Sequence, residues 1–441
     1  RQLAIRGIGS DSRTVEKDSL FVALKGTRHD GAQFIDEAIR RGARVVASSH
    51  PPAKKRADVL FLHVDDPHKF LYEVTRRFYG PLSSKVKSIG VTGTNGKTTI
   101  TYLIESILHE AGKTCGVMGT VNYRIGKKIL PSKNTTPGLV ENQQFLAKLA
   151  EKNIEYCVME VSSHGLDQGR VELIDFKSAV FTNLTSDHLD YHRTRENYFL
   201  AKARLFTNLS PRAVSVINID DPYGAKLVSM TKSRVVKYGI SGEADICAKD
   251  IKISVLESHF TVRANGQSIK IQTKLIGLHN VYNILAAVGV CFNEGIALET
   301  ISRGIARLEH VPGRLDRVES PKGFAVFIDY AHTEDALKNV LEALRKIGPK
   351  RIITVFGCGG DRDKTKRPKM GRVAGHLSDV VIVTNDNPRS EDPQSIISGI
   401  ILGFSTDNYQ VVADRERAIA TAIAMAGAGD IVLIAGKGHE D

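Results

Sequence analysis

Short apolar runs alternate with longer stretches of helical periodicity along most of the chain, the pattern of strands and helices taking turns. In residues 1–85 the strand-like runs fall at 19–24, 45–48 and 59–64, and a helical pattern covers 32–41. The Gly-Pro-Leu-Ser-Ser stretch at 80–84 has the composition of a linker. A strand-then-helix pattern restarts at Lys87 and recurs, with apolar runs at 157–161, 179–183 and 214–218. Residues 245–276 alternate like antiparallel strands, with Asn265-Gly266 as a hairpin turn, and a helix rich in small residues follows at 281–292. A second boundary falls at 310–313; beyond it, strands at 325–328, 352–356, 380–384 and 431–435 alternate with helices. The expectation is an α/β protein of three domains, 1–85, 86–311 and 312–441. The first is mixed α/β, the second carries a parallel sheet, and the third is doubly wound and Rossmann-like.

Composition narrows the class. The 441 residues are 42% hydrophobic and 25% charged, as in soluble globular proteins, and exceed one ordinary core. No run approaches the ~18 consecutive apolar residues of a membrane span, so no membrane association is expected. Cys115, Cys157, Cys247, Cys291 and Cys358 lie far apart without a CxxC pair, which argues for buried thiols in a reducing, cytoplasmic compartment. The charge of +12 is scattered, with short runs at 54–56 and 362–369. Nucleic-acid binders concentrate charge on one face, so a basic field serving anionic small ligands is expected instead of nucleic acid. The sequence begins at Arg1 and stops at Asp441 just after a Gly-rich motif; both ends are expected to be truncated.

The clearest chemistry lies at Gly90–Thr99, GVTGTNGKTT, between a short buried strand and a helix expected at 98–111. Glycines let backbone amides close around phosphate oxygens, and the helix N-terminus adds positive potential. Lys97 is placed for the β- and γ-phosphates and the Thr98 hydroxyl for magnesium, although Val91 stands where GxxxxGK[ST] has its first glycine. ATP is the implied ligand, held by Gly93, Thr94, Asn95, Gly96, Lys97, Thr98 and Thr99. Glu160 ends a buried strand, where it suits either magnesium or a solvated or salt-bridged role. Asp187-His188-Leu189-Asp190-Tyr191-His192 is either a polar loop or active-site chemistry after two strands.

With GTNGKTT, EVSSHGLDQGR, TNLTSDHLDYH, LIGLHNVYN, DYAHTEDAL, FGCGGDRDKTKRP, TNDNPR and AGKGHED in this order, the chain resembles the Mur ligase family over essentially its whole length. Within that family it is most similar to the members that add the third residue of the peptidoglycan stem peptide. The resemblance implies an N-terminal uridine-nucleotide domain, a central P-loop ATPase domain and a C-terminal amino-acid domain, brought together by closure. It implies an ATP-dependent ligase joining meso-diaminopimelate to the D-Glu carboxylate of UDP-N-acetylmuramoyl-L-Ala-D-Glu through an acyl phosphate, working as a monomer. It also implies roles. Lys97 and Thr98 serve the phosphates and the first of two magnesium ions, Glu160 that ion, and His188 the second. Lys202, by its own pattern a helix-surface lysine at 198–206, matches a lysine carbamylated by CO₂, which turns an ammonium into a carboxylate ligand. Asn280 matches an adenine contact, Arg314 a nucleotide contact and Asp329 a ribose contact, where residue type alone offers a helix cap for Asn280 and a linker charge for Arg314. Ser10, Ser12, Thr27, Arg28 and His29 match the uridine-diphosphate pocket, and Asn134, Thr135, Thr136, Ser162, Gln168 and Arg170 the muramoyl-dipeptide contacts.

Asp386-Asn387-Pro388-Arg389 bears on which amino acid is added. Proline fixes the turn, and a guanidinium makes two parallel bonds to a carboxylate. Diaminopimelate has a carboxylate at its far end and lysine has none. The resemblance ties DNPR to diaminopimelate use and assigns Arg362, Gly436 and Glu440 to the remaining contacts. The rival readings are the same reaction with L-lysine, folylpolyglutamate synthetase, and a catalytically inactive relative acting as a binding or scaffolding protein.

Overall fold

A computed structural model describes every residue except 1–2, 27–28, 51–55, 83–84, 186, 241–242, 319 and 441. Among the described residues, three sheets organise the α/β chain. The first is wholly parallel, in the order Gly7–Gly9, Ser19–Val22, Ala43–Ser48, Leu60–His63. Phe21 and Val46 on one face pack on Ala38 and Ile39 of the helix Ile35–Arg41, which stops at Gly42.

The central sheet has 11 strands. Lys87–Thr92 lies between Phe176–Phe181 and Tyr156–Glu160, and Val214–Asn218 and Arg234–Gly239 continue the sheet beyond Phe176–Phe181. Its strands Lys87–Thr92, Tyr156–Glu160 and Val214–Asn218 are buried almost end to end, as in a parallel sheet covered on both faces. Ile100, Leu103, Ile104 and Ile107 of the helix Lys97–Glu110 and Val281, Ile284 and Leu285 of the helix Leu278–Asn293 join one buried cluster with them. The alternating stretch forms antiparallel strands Ile246–Ile253, Ser258–Ala264 and Gln267–Thr273, and Asn265-Gly266 is the hairpin turn. At the opposite edge Asn122–Ile125 and Lys128–Pro131 form a hairpin that the sequence pattern does not announce.

The third sheet runs Asp316–Val318, Ala325–Asp329, Ile431–Ala435, Ile352–Phe356, Val380–Val383, Tyr409–Val411. All its pairings are parallel except the first edge. Phe327, Phe356 and Leu433 meet Leu337, Leu341 and Leu344 of the helix Glu334–Lys346. Ile253 and Ile276, from the central segment, pack into this same cluster.

The chain divides into two compact units. One comprises 1–87, 137–155 and 165–175; the other holds 88–136, 156–164 and 176–441. In the first, Val140 of the helix Leu139–Glu151 packs with Ile8, Leu20 and Val45. All five cysteines are free and buried. No helix among the described residues is long and apolar enough to cross a membrane.

Candidate active site

The phosphate loop is built by conformations that side chains rarely adopt. Gly93 has φ 143° and a Cβ there would lie 1.8 Å from Thr182 Oγ1; Gly96 has φ 91° and its Cβ would lie 2.3 Å from Asn283 Oδ1. Thr182 Oγ1 donates to the Asn95 carbonyl (2.6 Å), and the Asn95 amide donates to Asn183 Oδ1 (3.0 Å). The loop is thus clamped by the residues that follow the neighbouring strand. No side chain caps the helix Lys97–Glu110, leaving its first amides to face a ligand.

Two lysines converge on this backbone. Lys97 Nζ donates to the carbonyls of Gly93 (3.0 Å) and Thr94 (2.7 Å), while Lys202 Nζ donates to Gly93 O at 2.8 Å. Lys202 is only 1% exposed, which overturns the helix-surface reading. It sits on the helix Arg195–Thr207, 4.5 Å from the Tyr198 ring centroid. Burial, reinforced by Lys97, drives its pKa well below the ordinary lysine value despite Asp187. Burial also lowers that of Lys97, against Glu160 and Asp187.

Glu160 is 1% exposed, so the solvated strand-end alternative fails. Its Oε1 accepts from the Thr98 hydroxyl (3.0 Å) and the Thr120 amide (2.8 Å), and its Oε2 from the Thr120 hydroxyl (3.0 Å). Among the described residues no three His, Cys, Asp or Glu side chains gather into a metal cage. A hydroxyl and a carboxylate beside a phosphate site form an oxygen donor set suited to magnesium, which keeps waters and phosphate oxygens as its other ligands.

His188, at φ 54°, opens the short helix Leu189–His192, with Nε2 3.4 Å from Asp187 Oδ2 and its ring 4.8 Å from that of His164. Burial pulls its pKa down to about 4 against the pull of Asp187, so the imidazole is neutral and able to ligate near pH 7. Burial raises the Asp187 carboxyl, but His188, His332 and Lys97 together hold it below its ordinary value.

Arg314 reaches this centre from the third-sheet segment. Its Nη2 donates to Thr98 Oγ1 at 3.2 Å and its guanidinium lies 4.9 Å from the Tyr330 ring centroid, so it is no mere linker charge. Asp329 is buried and its two oxygens accept from the Leu315 and Ala331 amides, both at 2.7 Å. Asn280 is buried inside the helix Leu278–Asn293, not at its cap: Nδ2 donates to Ile276 O (2.8 Å) and Oδ1 accepts from Asn283 (3.0 Å).

A second cluster forms at the ends of the third sheet's strands. Asn387 Nδ2 and the Tyr330 hydroxyl donate to the two oxygens of Glu440, both at 3.0 Å. Arg389, at φ 52°, donates from Nη1 to Gly360 O (2.8 Å), and the Gly360 amide donates to Asn387 O (2.9 Å). Asp386 Oδ2 lies 2.9 Å from where a Cβ on Gly436 would stand. Pro388 is half-buried in this loop, and Arg362 is exposed on the loop after Ile352–Phe356. Behind them half-buried Arg415 donates to the carbonyls of Asn385 (3.3 Å) and Ala435 (3.0 Å), joining the two loops.

The remaining site candidates divide between the units. In the first, the Ser12 hydroxyl is turned onto Glu37 (2.7 Å), Ser10 is half-buried and His29 is exposed. There Arg170 also donates to Gln168 Oε1, at 3.0 and 2.6 Å. Thr27 and Arg28 lie outside the described residues. In the second, Thr136 Oγ1 donates to Ser162 Oγ (3.0 Å), Thr135 and Thr120 share a hydroxyl contact (3.0 Å), and the Asn134 carbonyl accepts from Tyr123 (2.6 Å). Sequence reasoning missed Thr120, Asn183, Asn283, Tyr198, Tyr330 and Arg415. Tyr198 had a local signal, standing one helical turn before Lys202.

Three family models match the chain. The Mur ligase middle domain matches residues 91–291, the Mur ligase glutamate ligase domain 313–438, and the Mur ligase family catalytic domain 4–79. The chain is 44% identical to UDP-N-acetylmuramoyl-L-alanyl-D-glutamate--2,6-diaminopimelate ligase 1 of Clostridium acetobutylicum, covering 99% of this chain and 90% of that one. It is likewise 44% identical to the ligase of that name from Aquifex aeolicus, over 99% of this chain and 89% of the other. A solved structure titled as such a ligase shares 34% identity and superposes with TM-score 0.70, over 99% and 90% of the two chains. The Thermotoga maritima MurF ligase in complex with ADP has the same fold, with TM-score 0.72 and 22% identity over 99% and 95%.

Proposed function

The chain belongs to the Mur ligase family, and from that premise we propose that it joins 2,6-diaminopimelate, in its meso form, to UDP-N-acetylmuramoyl-L-alanyl-D-glutamate. In this reading 1–85 hold the uridine nucleotide, 86–311 bind ATP, and 312–441 present the amino acid. The D-Glu carboxylate attacks the γ-phosphorus of ATP, ADP leaves, and the acyl phosphate is attacked by the diaminopimelate amine with loss of phosphate. The observation that carries the proposal is the convergence on one loop of Thr98, Glu160 and Arg314, with Lys97 and Lys202 on the same backbone.

The chain positions and neutralises charge; no covalent nucleophile is called for. Loop amides and Lys97 receive the phosphates. Thr98 and Glu160 would hold one magnesium ion and His188 a second, and magnesium when bound offsets the phosphate charge. Lys202 fits carbamylation because burial lowers the pKa of its amine, which favours the neutral form whose lone pair CO₂ needs. Asn387, Arg389 and Glu440 offer donors and an acceptor to the two ends of an amino acid bearing carboxylates and ammoniums. Five buried thiols suit a cytoplasmic enzyme, which we take to be a monomer.

The test is phosphate release with UDP-muramoyl-dipeptide and ATP, with diaminopimelate and then with lysine. Release with diaminopimelate alone is expected. Equal rates with lysine would reassign the amino acid, and no release with either would end the ligase reading.

A further inference from the structure

The DYAHTEDAL segment supplies Asp329 and Tyr330 to the sites above, but its acidic pair Glu334-Asp335 has no part in them. Both begin the helix Glu334–Lys346, whose N-cap is Thr333, accepting from the Ala336 amide at 3.3 Å. Glu334 is exposed, whereas half-buried Asp335 points at the phosphate loop: its Oδ2 accepts from Asn95 Nδ2 at 3.1 Å. The same oxygen accepts from Asn339 Nδ2, one turn along the helix, at 3.0 Å, which fixes the aim of the carboxylate.

Asn95 is an unusual place to attach a carboxylate. Its backbone amide and carbonyl are already taken by Asn183 and Thr182, so its side chain is its one remaining handle. That handle lies on a loop built to attract anions, where a negative charge competes with phosphate. The positive end of the Asp335 helix offsets part of that repulsion, and the contact earns its place only through what it connects. From Asp335 the chain runs back through Thr333 to Tyr330, whose hydroxyl is bonded to Glu440, which is bonded to Asn387. All of these residues belong to one compact unit.

We propose that Asp335 is a positioning residue: through Asn95 it docks the amino-acid end of the molecule on the phosphate loop, so that nucleotide occupancy and diaminopimelate capture are coupled. The proposal rests on the functional reading above. It makes no claim that Asp335 touches a substrate.

The test uses the full chain with Asp335→Ala, Asp335→Asn, Asn95→Ala and the double variant Asn95→Ala/Asp335→Ala. Hydrogen exchange along Glu334–Lys346 is followed with and without ADP, and KM is measured for ATP and for diaminopimelate. ADP is expected to slow exchange in the unmodified chain, and Asp335→Ala is expected to lose that protection while its KM for diaminopimelate rises about fivefold. Asn95→Ala removes the same contact from the other side and should do the same, with the double variant no worse than the more affected single one. Asp335→Asn keeps an oxygen for Asn95 and should retain most of the protection. Additive losses in the double variant, or full ADP protection in both single variants, would overturn the proposal. Protection is read with nucleotide alone, so its failure is distinct from an absence of diaminopimelate-dependent phosphate release, which would sink the ligase reading instead.

Discussion

The Thr98 hydroxyl donates to Glu160 Oε1 at 3.0 Å across 62 residues of sequence, joining the start of the phosphate-loop helix to the end of the adjacent strand. Thr98 also accepts from Arg314, so one hydroxyl is held between a carboxylate and a guanidinium. Glu160→Gln keeps the shape and two acceptor contacts but removes the charge. Phosphate release should fall about 100-fold or more, with little change in melting temperature. A rate within threefold of the parent would remove Glu160 from the chemistry.

The strands and helices of all three sheets were legible where periodicity was strong and unbroken. Residues 258–273 show it best, since alternation and an Asn-Gly turn leave little choice of register there, whereas Ile246–Ile253 slips between Lys249 and Lys252. The hairpin Asn122–Pro131 was not legible, because its strands are short and carry Lys128 and Pro131 in place of an apolar run. Lys202 illustrates another limit. Its helix buries a broad arc of Tyr198, Phe199, Ala203 and Phe206 with Lys202 among them, while Leu200 on the opposite face stands exposed, so residue type alone misplaces both. The phosphate loop itself was read from local residues, but its clamps at Thr182, Asn183 and Asn283 are tertiary neighbours that no local pattern announces.

Gly96→Ala tests those clamps. At φ 91°, with Asn283 Oδ1 2.3 Å from the new Cβ, the variant combines backbone strain and overlap. A loss of about 1–3 kcal/mol of stability is expected, seen as a lower denaturation midpoint, together with weakened ADP binding. Unchanged ADP affinity would show that the loop tolerates the distortion.

Arg389 sits at φ 52° with Nη1 on the Gly360 carbonyl. Arg389→Ala removes both that tether and the guanidinium offered to a distal carboxylate. Diaminopimelate turnover should drop at least about tenfold, while KM for ATP stays within twofold. An unchanged rate in the phosphate-release assay would sink the assignment of this arginine.

Lys202 yields a dependence on dissolved CO₂. Burial lowers the pKa of this amine, which favours its neutral, CO₂-reactive form more than in an exposed lysine. Activity should therefore fall in CO₂-depleted buffer and recover on adding bicarbonate, and Lys202→Arg should show neither response. Indifference of the parent enzyme to bicarbonate would rule out the carbamate.

His279 sets an acid limit on stability. Burial pulls its pKa down from 6.5 to about 4, so the folded chain binds fewer protons than the unfolded one between those values. Stability attached to the neutral ring is present above about pH 6.5 and is lost as pH falls toward 4. His279→Leu should flatten the decline in melting temperature across that window. A decline as steep as the parent's would place the acid sensitivity elsewhere, for instance at His188 with its pKa of about 4.

The helix Leu139–Glu151 lies, in sequence, within the central segment, yet Val140 helps to cover the first sheet. That sheet's unit is therefore written in three separate stretches of the gene, not one. A recombination that swapped only 1–87 between relatives would import one half of an apolar seam and keep the other half of its host. A substitution at Ile8, Leu20 or Val45 alters the surface that Val140 packs on, so the N-terminal piece is not an interchangeable cassette.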